Sequence, residues 1–446
     1  MKKIALSILS IAIVGTLSLQ ATLGDVATDN AKRAQAEANA QTSSTSSATS
    51  KAKVEDVTAL YGDQLAAQLS TTATENDYSA YDGASGERSI IVELESESLV
   101  DSFLKTENIS RYPNVSEYAV SKSAQTRVAL LEREQSAFIS ALNSANVNYT
   151  YQYAYNSVVN GVALTVNNSD LSKISAIKGV KNIIFSEQYS VPEAAAVSNT
   201  VNAYSTGIYD TTGISYTGEG VLVGILDTGL DYTHDAFQTM PAMQKLTRSD
   251  VAAVLDGLTA KSRVSSVTAD NLYLNAKVPY QFDYADDDAD VYPVSSSHGT
   301  HVAGIISGYD EVVDYEPLPS DDNMYFNTNE NGERTFKGVA VDAQLAIFKV
   351  FSDGNQRGAD TTHIIAALND AVLLGVDVIN MSLGLVAGFS RISDDDSINS
   401  IYDRIRETGI ALIVAAGNSY SSSMSGTWGN TNLATNPDSG PVMRRG

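Results

Sequence analysis

Four apolar runs in the second half of the chain limit its fold more than any other feature. They are "VLVGILD" (221–227), "AQLAIFKVF" (343–351), "VDVINMSLG" (376–384) and "IALIVAAGN" (410–418). Between them lie "HGTHVAGIISG", "DTTHIIAALNDAVLLG" and "INSIYDRIRETG", which carry apolar residues at helical spacing. Apolar strands alternating with helices mark a buried parallel sheet. From Gly220 onward the chain therefore reads as α/β and open-sheeted. Chemistry in such sheets collects at the carboxyl ends of the strands, so the polar residues that end these runs matter most.

Asp227 closes the first run. A carboxylate there is costly unless it is hydrogen-bonded or functional, and a structural Asp capping the turn satisfies the pattern as well as a catalytic one. The chain has four histidines, and "SSSHGTHVAGIISG" (295–308) holds two of them, His298 and His301. A zincin-type pair needs histidines four apart with a glutamate between; here Gly299 holds the glutamate's place and the spacing is three, which disfavours a metal-dependent hydrolase. His298 falls at a helix start. His301 lies one turn further in, is expected to pack inside facing Val302 and Ile305, and reads as structural. His363 and His234, the latter on the loop "DYTHDAF", read the same way.

The first half is organised differently. "MKKIALSILSIAIVGTLSLQATLGD" combines two lysines, an apolar run from Ile4 to Leu19 and small residues, the form of a secretory signal over residues 1–24. A membrane anchor is the alternative, but that run is shorter than the ~20 residues a spanning helix needs. Residues 25–87 read as a linker, rich in Ala, Gln, Ser and Thr, followed by a short helix around 54–69. Residues 88–190 read as strand "RSIIVEL", a helix over 119–143, strands "VNYTYQYAY" and "NGVALTV", a helix "NSDLSKISAIKGV" stopping at Gly179, and strand "KNIIFSE". The order βαββαβ is that of a ferredoxin-like α+β domain.

Composition removes several functions. The 446-residue chain has no cysteine, so a thiol nucleophile, a zinc–thiolate site and disulfide bracing are excluded. A net charge of −24 argues against nucleic acid, whose phosphates need clustered Lys and Arg. No second long apolar run follows the first, so no membrane span is expected beyond the signal. The acidic run "DYADDDAD" (283–290) offers the oxygen ligands that a structural Ca2+ takes, although such a run is more often a solvated loop.

Taken in order, "GILDTGLDYTHDAF", "SSSHGTHVAGIISG", "VINMSLG" and "IVAAGN" resemble the subtilisin-like serine proteases, and "FDYADDDADVYPVSSSHGTHVAGI" is similar to the cell-envelope proteinases of the lactocepin and C5a-peptidase group from Gram-positive bacteria. The resemblance implies a secreted endopeptidase acting on proteins or peptides without a required cofactor. Asp227 would orient His298, His298 would be the general base, and Asn418 would donate to the oxyanion. Ser382, Leu383 and Gly384 would line the pocket and pair with the substrate backbone. Residues 88–190 would be an inhibitor I9-like prodomain, 191–214 its cleavage region, and 215–446 the first part of the peptidase domain.

One member of the set is missing. No Gly-Thr-Ser-Met-Ala-like block occurs, and "SGTWGN" (425–430) has Trp428 where a reactive serine would stand. The expectation is a chain cut before its nucleophile and inactive as given. The alternative is a serine-less pseudo-protease or surface binding module.

Overall fold

The computed structural model describes residues 78–189, 191, 216–312, 327–328, 331, 334–354, 358–384 and 392–415. The signal-like stretch, the pre-segment before residue 78, nearly all of 191–214, Asn418 and Trp428 lie outside the described residues.

The N-terminal layer begins with β1 (Glu87–Leu94) and three helical turns, Leu99–Phe103, Thr106–Ile109 and Val115–Ala119. These turns are too short to show a period in sequence. There follow α1 (Lys122–Ser144), β2 (Tyr149–Tyr155), β3 (Gly161–Asn167), α2 (Leu171–Ser175) and β4 (Val180–Phe185). Ser121 starts α1 by accepting from Ala124 N. A 3-10 turn (Asn168–Asp170) takes up the expected beginning of α2, and the helix ends at Ser175, short of Gly179. The sheet order is β2–β3–β1–β4, with β1 antiparallel to both β3 and β4. Alternation along the strands gives this sheet two apolar faces. Ile90, Val92, Val162 and Leu164 take α1 and α2 through Phe138, Leu142, Leu171 and Ile174. Ile91, Tyr153, Tyr155 and Ala163 join the core of the second layer.

A two-residue strand β5 (Gln188–Tyr189) leaves the N-terminal layer. The second layer then runs β6 (Leu222–Asp227), α3 (Arg248–Val254), α4 (Thr259–Arg263), α5 (Ala269–Leu272), β7 (Tyr280–Asp283), α6 (His298–Ser307) and a small sheet of β8 (Tyr309–Asp310), β9 (Asn327–Thr328) and β10 (Arg334–Lys337). It continues with β11 (Gln344–Lys349), β12 (Ala359–Asp360), α7 (Thr361–Leu373), β13 (Val378–Met381), α8 (Ile392–Glu407) and β14 (Ala411–Val414). The main sheet is β14–β13–β6–β11–β7, parallel at every pairing. All six residues of β6 are buried. Leu222 and Leu226 join the core of α7, whereas Val223 and Ile225 join that of α6 through Ala303. The four expected strands are present, and β7 is an addition.

Helix α7 explains why the two layers touch. Every residue in it except His363 is buried. A helix buried all round, with Asn369 and Asp370 among its buried residues, must be covered on both sides. The parallel sheet covers one side and the N-terminal sheet the other. There Tyr155 Oη donates to Thr362 O (2.9 Å) and Asn369 Oδ1 accepts from Ser157 N (2.8 Å). Burying a side chain such as Leu368 or Ile364 contributes about 1.5–3 kcal/mol, so docking rather than helix propensity holds this element. Strand β5 pairs antiparallel with β12, Tyr189 opposite Ala359 and Gln188 opposite Asp360.

Candidate active site

Strand β6 delivers Asp227 to the carboxyl edge of the sheet, where the carboxylate is 1% exposed. Helix α6 begins at His298, 71 residues later in sequence. His298 Nδ1 lies 2.8 and 3.0 Å from the two oxygens of Asp227. A carboxylate accepts, so Nδ1 carries the proton, and in the neutral imidazole Nε2 is then the acceptor. Among the described residues, no hydroxyl hydrogen-bonds Nε2. Asp227 Oδ1 also accepts from Thr228 N (2.7 Å), which completes the satisfaction of a buried acid.

Two glycines let strand end and helix start meet. A Cβ on Gly299 would sit 2.3 Å from the carbonyl oxygen of Gly229 and 3.2 Å from Asp227 Cβ. Gly229 itself has φ +106, and a Cβ there would lie 2.2 Å from the carbonyl oxygen of Val291. Thr228 ties the same junction, its hydroxyl donating to Ser296 O (3.0 Å) and accepting from Gly299 N (2.9 Å). Thr300 Oγ1 accepts from Asp231 N at 2.8 Å.

The other sequence candidates fall as follows. Met381 of β13 pairs with Leu226, so the residues after each, Ser382 and Asp227, leave the sheet at one edge. Ser382 Oγ accepts from Asn380 Nδ2 (3.0 Å), Leu383 is 3% exposed in the core, and Gly384 is exposed with open space around it. Of this trio only Ser382 and Gly384 offer anything to solvent. Asn418 lies outside the described residues. His301 is exposed, contrary to the expectation that it packs inside. The buried face of α6 is made by Gly299, Ala303, Gly304 and Ser307, because contact this close admits only small residues. His234 is exposed and its Nδ1 accepts from Ala236 N (3.1 Å). His363 stands edge-on to Tyr153, ring centroids 6.2 Å apart.

The acidic run is not a uniformly solvated loop. Asp283 is 1% exposed at the end of β7, and burial pushes its carboxyl up to about 7 despite the Lys349 ammonium 2.5 Å away. Arg263 takes Asp287 in a two-pronged ion pair at 2.8 and 2.7 Å. Among the described residues no group of three or more His, Asp or Glu is placed to hold a metal ion. Lys349 went unremarked in sequence, although a lysine inside "AIFKVF" signals a buried cation that needs partners.

A parallel sheet carrying a strand-end Asp bonded to a helix-start His coincides with a match to the subtilase family over residues 218–436. This part of the chain is a subtilase domain. The PI-type proteinase of Lactococcus lactis subsp. cremoris is 31% identical over 64% of this chain and 13% of its own length. The C5a peptidase of Streptococcus pyogenes serotype M18 is 28% identical over 50% of the chain and 17% of its own length. The minor extracellular protease Vpr of Bacillus subtilis is 24% identical over 74% of the chain and 33% of its own length. The chain thus spans about an eighth of the first relative's length. No helix among the described residues is long and apolar enough to cross a membrane.

Proposed function

We propose that the chain is the precursor form of a secreted serine endopeptidase, in which Asp227 and His298 are two members of an Asp/His/Ser triad. The observation that carries this reading is the Asp227–His298 contact at 2.8 and 3.0 Å on the edge of a parallel sheet. With Nδ1–H held by Asp227, Nε2 takes the proton of a serine hydroxyl as it attacks the peptide carbonyl, and returns it to the leaving amine. Asn418 donates to the oxyanion. Ser382 and Gly384 meet the substrate backbone as an added strand. No metal or organic cofactor takes part in these steps.

Residues 88–190 act as an I9-like prodomain and intramolecular inhibitor, with 191–214 as the connecting region cut on activation. What supports this is the docking of the N-terminal sheet on α7 and the β5–β12 pairing, which leads residue 189 onto the segment before that helix. Residues 1–24 direct export, in line with the extracellular Vpr protease of Bacillus subtilis among the relatives.

The second reading, a serine-less binding module, rests on Trp428 and the missing Gly-Thr-Ser block. One experiment separates the two. The chain is expressed together with any in-frame coding sequence that follows residue 446, and treated with a fluorophosphonate. The protease reading expects covalent labelling of one serine and casein hydrolysis, both absent from residues 1–446 alone. No labelling of the extended product supports the binding module.

A further inference from the structure

Lys349 ends β11 in register with Asp227 of β6 on one side and Asp283 of β7 on the other. Its side chain is 3% exposed. The ammonium donates to Asp283 Oδ2 at 2.5 Å and to Asp353 Oδ2 at 2.6 Å, with Asp286 Oδ2 3.9 Å away. Three carboxylates from two loops thus converge on one buried cation. Gly229 makes room for it, since a Cβ there would lie 3.0 Å from Lys349 Cδ.

Each carboxylate passes the arrangement to backbone. Asp283 Oδ1 accepts from Ala285 N (2.9 Å) and Asp286 N (3.0 Å). Asp286 accepts from Ser352 Oγ (2.6 Å) and Asp353 N (2.9 Å). Asp353 Oδ1 accepts from Val294 N (3.2 Å) and Ser295 N (3.0 Å), the two amides that lead into His298. Thr228 holds the next carbonyl, Ser296 O, from the opposite side at 3.0 Å. The segment 294–297 is therefore clamped between Asp353 and Thr228, and Asp353 is aimed by Lys349.

We propose that Lys349 is a positioning residue for His298: a built-in cation that gathers Asp283, Asp286 and Asp353 and, through Asp353, fixes the backbone from which the histidine meets Asp227. A charge-assisted bond to a buried ammonium is strong and directional, and the remaining acids would repel one another without it. The inference rests on the reading of Asp227 and His298 as a catalytic pair, and its test separates the two.

The full chain is labelled with 15N-histidine, and the low-field Nδ1 proton of His298 is identified as the signal that Asp227→Asn removes. Lys349→Met is expected to lose or shift that signal. It should also speed hydrogen exchange at Val294 and Ser295 about tenfold or more, while the β6 amides stay protected. A folded Lys349→Met with both readings at their wild-type values overturns the proposal. If Lys349→Met does not fold, Asp353→Ala serves instead, because Asp353 is less buried and is the direct link to both amides. The same loosening is expected of it, and no change overturns the proposal. A wild-type chain in which no low-field signal depends on Asp227 refutes the catalytic pair itself, and exchange at Val294 and Ser295 then decides the role of Lys349 alone.

Discussion

Gly299 and Gly229 approach so closely that a Cβ on the first would lie 2.3 Å from the carbonyl oxygen of the second. This contact sets the distance between Asp227 and His298, because each glycine lies within two residues of one member of the pair. Gly299→Ala should therefore cost about 1–3 kcal/mol as an overpacked contact. It should also separate the pair. Urea denaturation reads the first effect, and loss of the Asp227-dependent imidazole proton reads the second. An alanine variant with unchanged stability and signal would contradict the close-approach account.

The N-terminal layer should loosen when Arg263 is removed. Its guanidinium holds Asp287, donates to Tyr151 O (3.4 Å) and Gln152 O (3.1 Å), and lies 5.4 Å from the centroid of the Tyr153 ring. These bonds are about one third exposed, so Arg263→Ala should cost only about 1–2 kcal/mol. Hydrogen exchange should rise along β2 and stay unchanged in β13. Asp287 sits at φ 60, a conformation that asparagine tolerates, so Asp287→Asn isolates the charge and should reproduce part of the effect.

Lys277 gives a pH dependence with a defined sign. It is 1% exposed and donates to Ser307 Oγ (2.6 Å), Val341 O (2.6 Å) and Ala343 O (3.1 Å). Burial pushes its amine down from 10.5 to about 8. Between those two values the unfolded chain binds more protons than the folded one, so this residue's contribution to stability rises with pH. Lys277→Met removes the ammonium donor from Ser307 Oγ, Val341 O and Ala343 O, of which Ala343 O keeps the Ser307 hydroxyl at 2.9 Å, and should destabilise by about 1–2 kcal/mol. The gap between wild type and variant should widen from about pH 8 to about pH 10 in urea melts. A constant or shrinking gap would count against the buried, depressed amine.

What could be read from sequence follows from where the physics is local. Runs such as "VLVGILD" announce strands buried on both faces, whereas the burial of α7 on every side, Asn369 and Asp370 included, is a product of the docked N-terminal layer that its helical spacing does not report. Strand β7 escaped because "YQFD" is four residues long with two apolar side chains, set beside an acidic run. His301 was misplaced because α6 packs through its small residues, so close approach rather than hydrophobicity decides which face is buried. The partners of Asp283 and Lys349 come from different strands, and no local pattern reports such a pairing. Asp227 and His298 stood out by position at a strand end and a helix start, whereas their hydrogen bond is a fact of the folded chain.

The central claim, that His298 is the base of a peptide hydrolase and Asp227 its orienting partner, is tested most directly by casein hydrolysis. The assay compares the protein, expressed with any in-frame coding sequence after residue 446, with its His298→Ala and Asp227→Asn variants. In subtilisin, removing the histidine costs about 2 × 10⁶ in kcat and removing the aspartate about 3 × 10⁴. Losses of about 10⁶ and about 10⁴, with KM little changed, are the predicted result. Hydrolysis by His298→Ala within about tenfold of the unsubstituted protein would contradict the account.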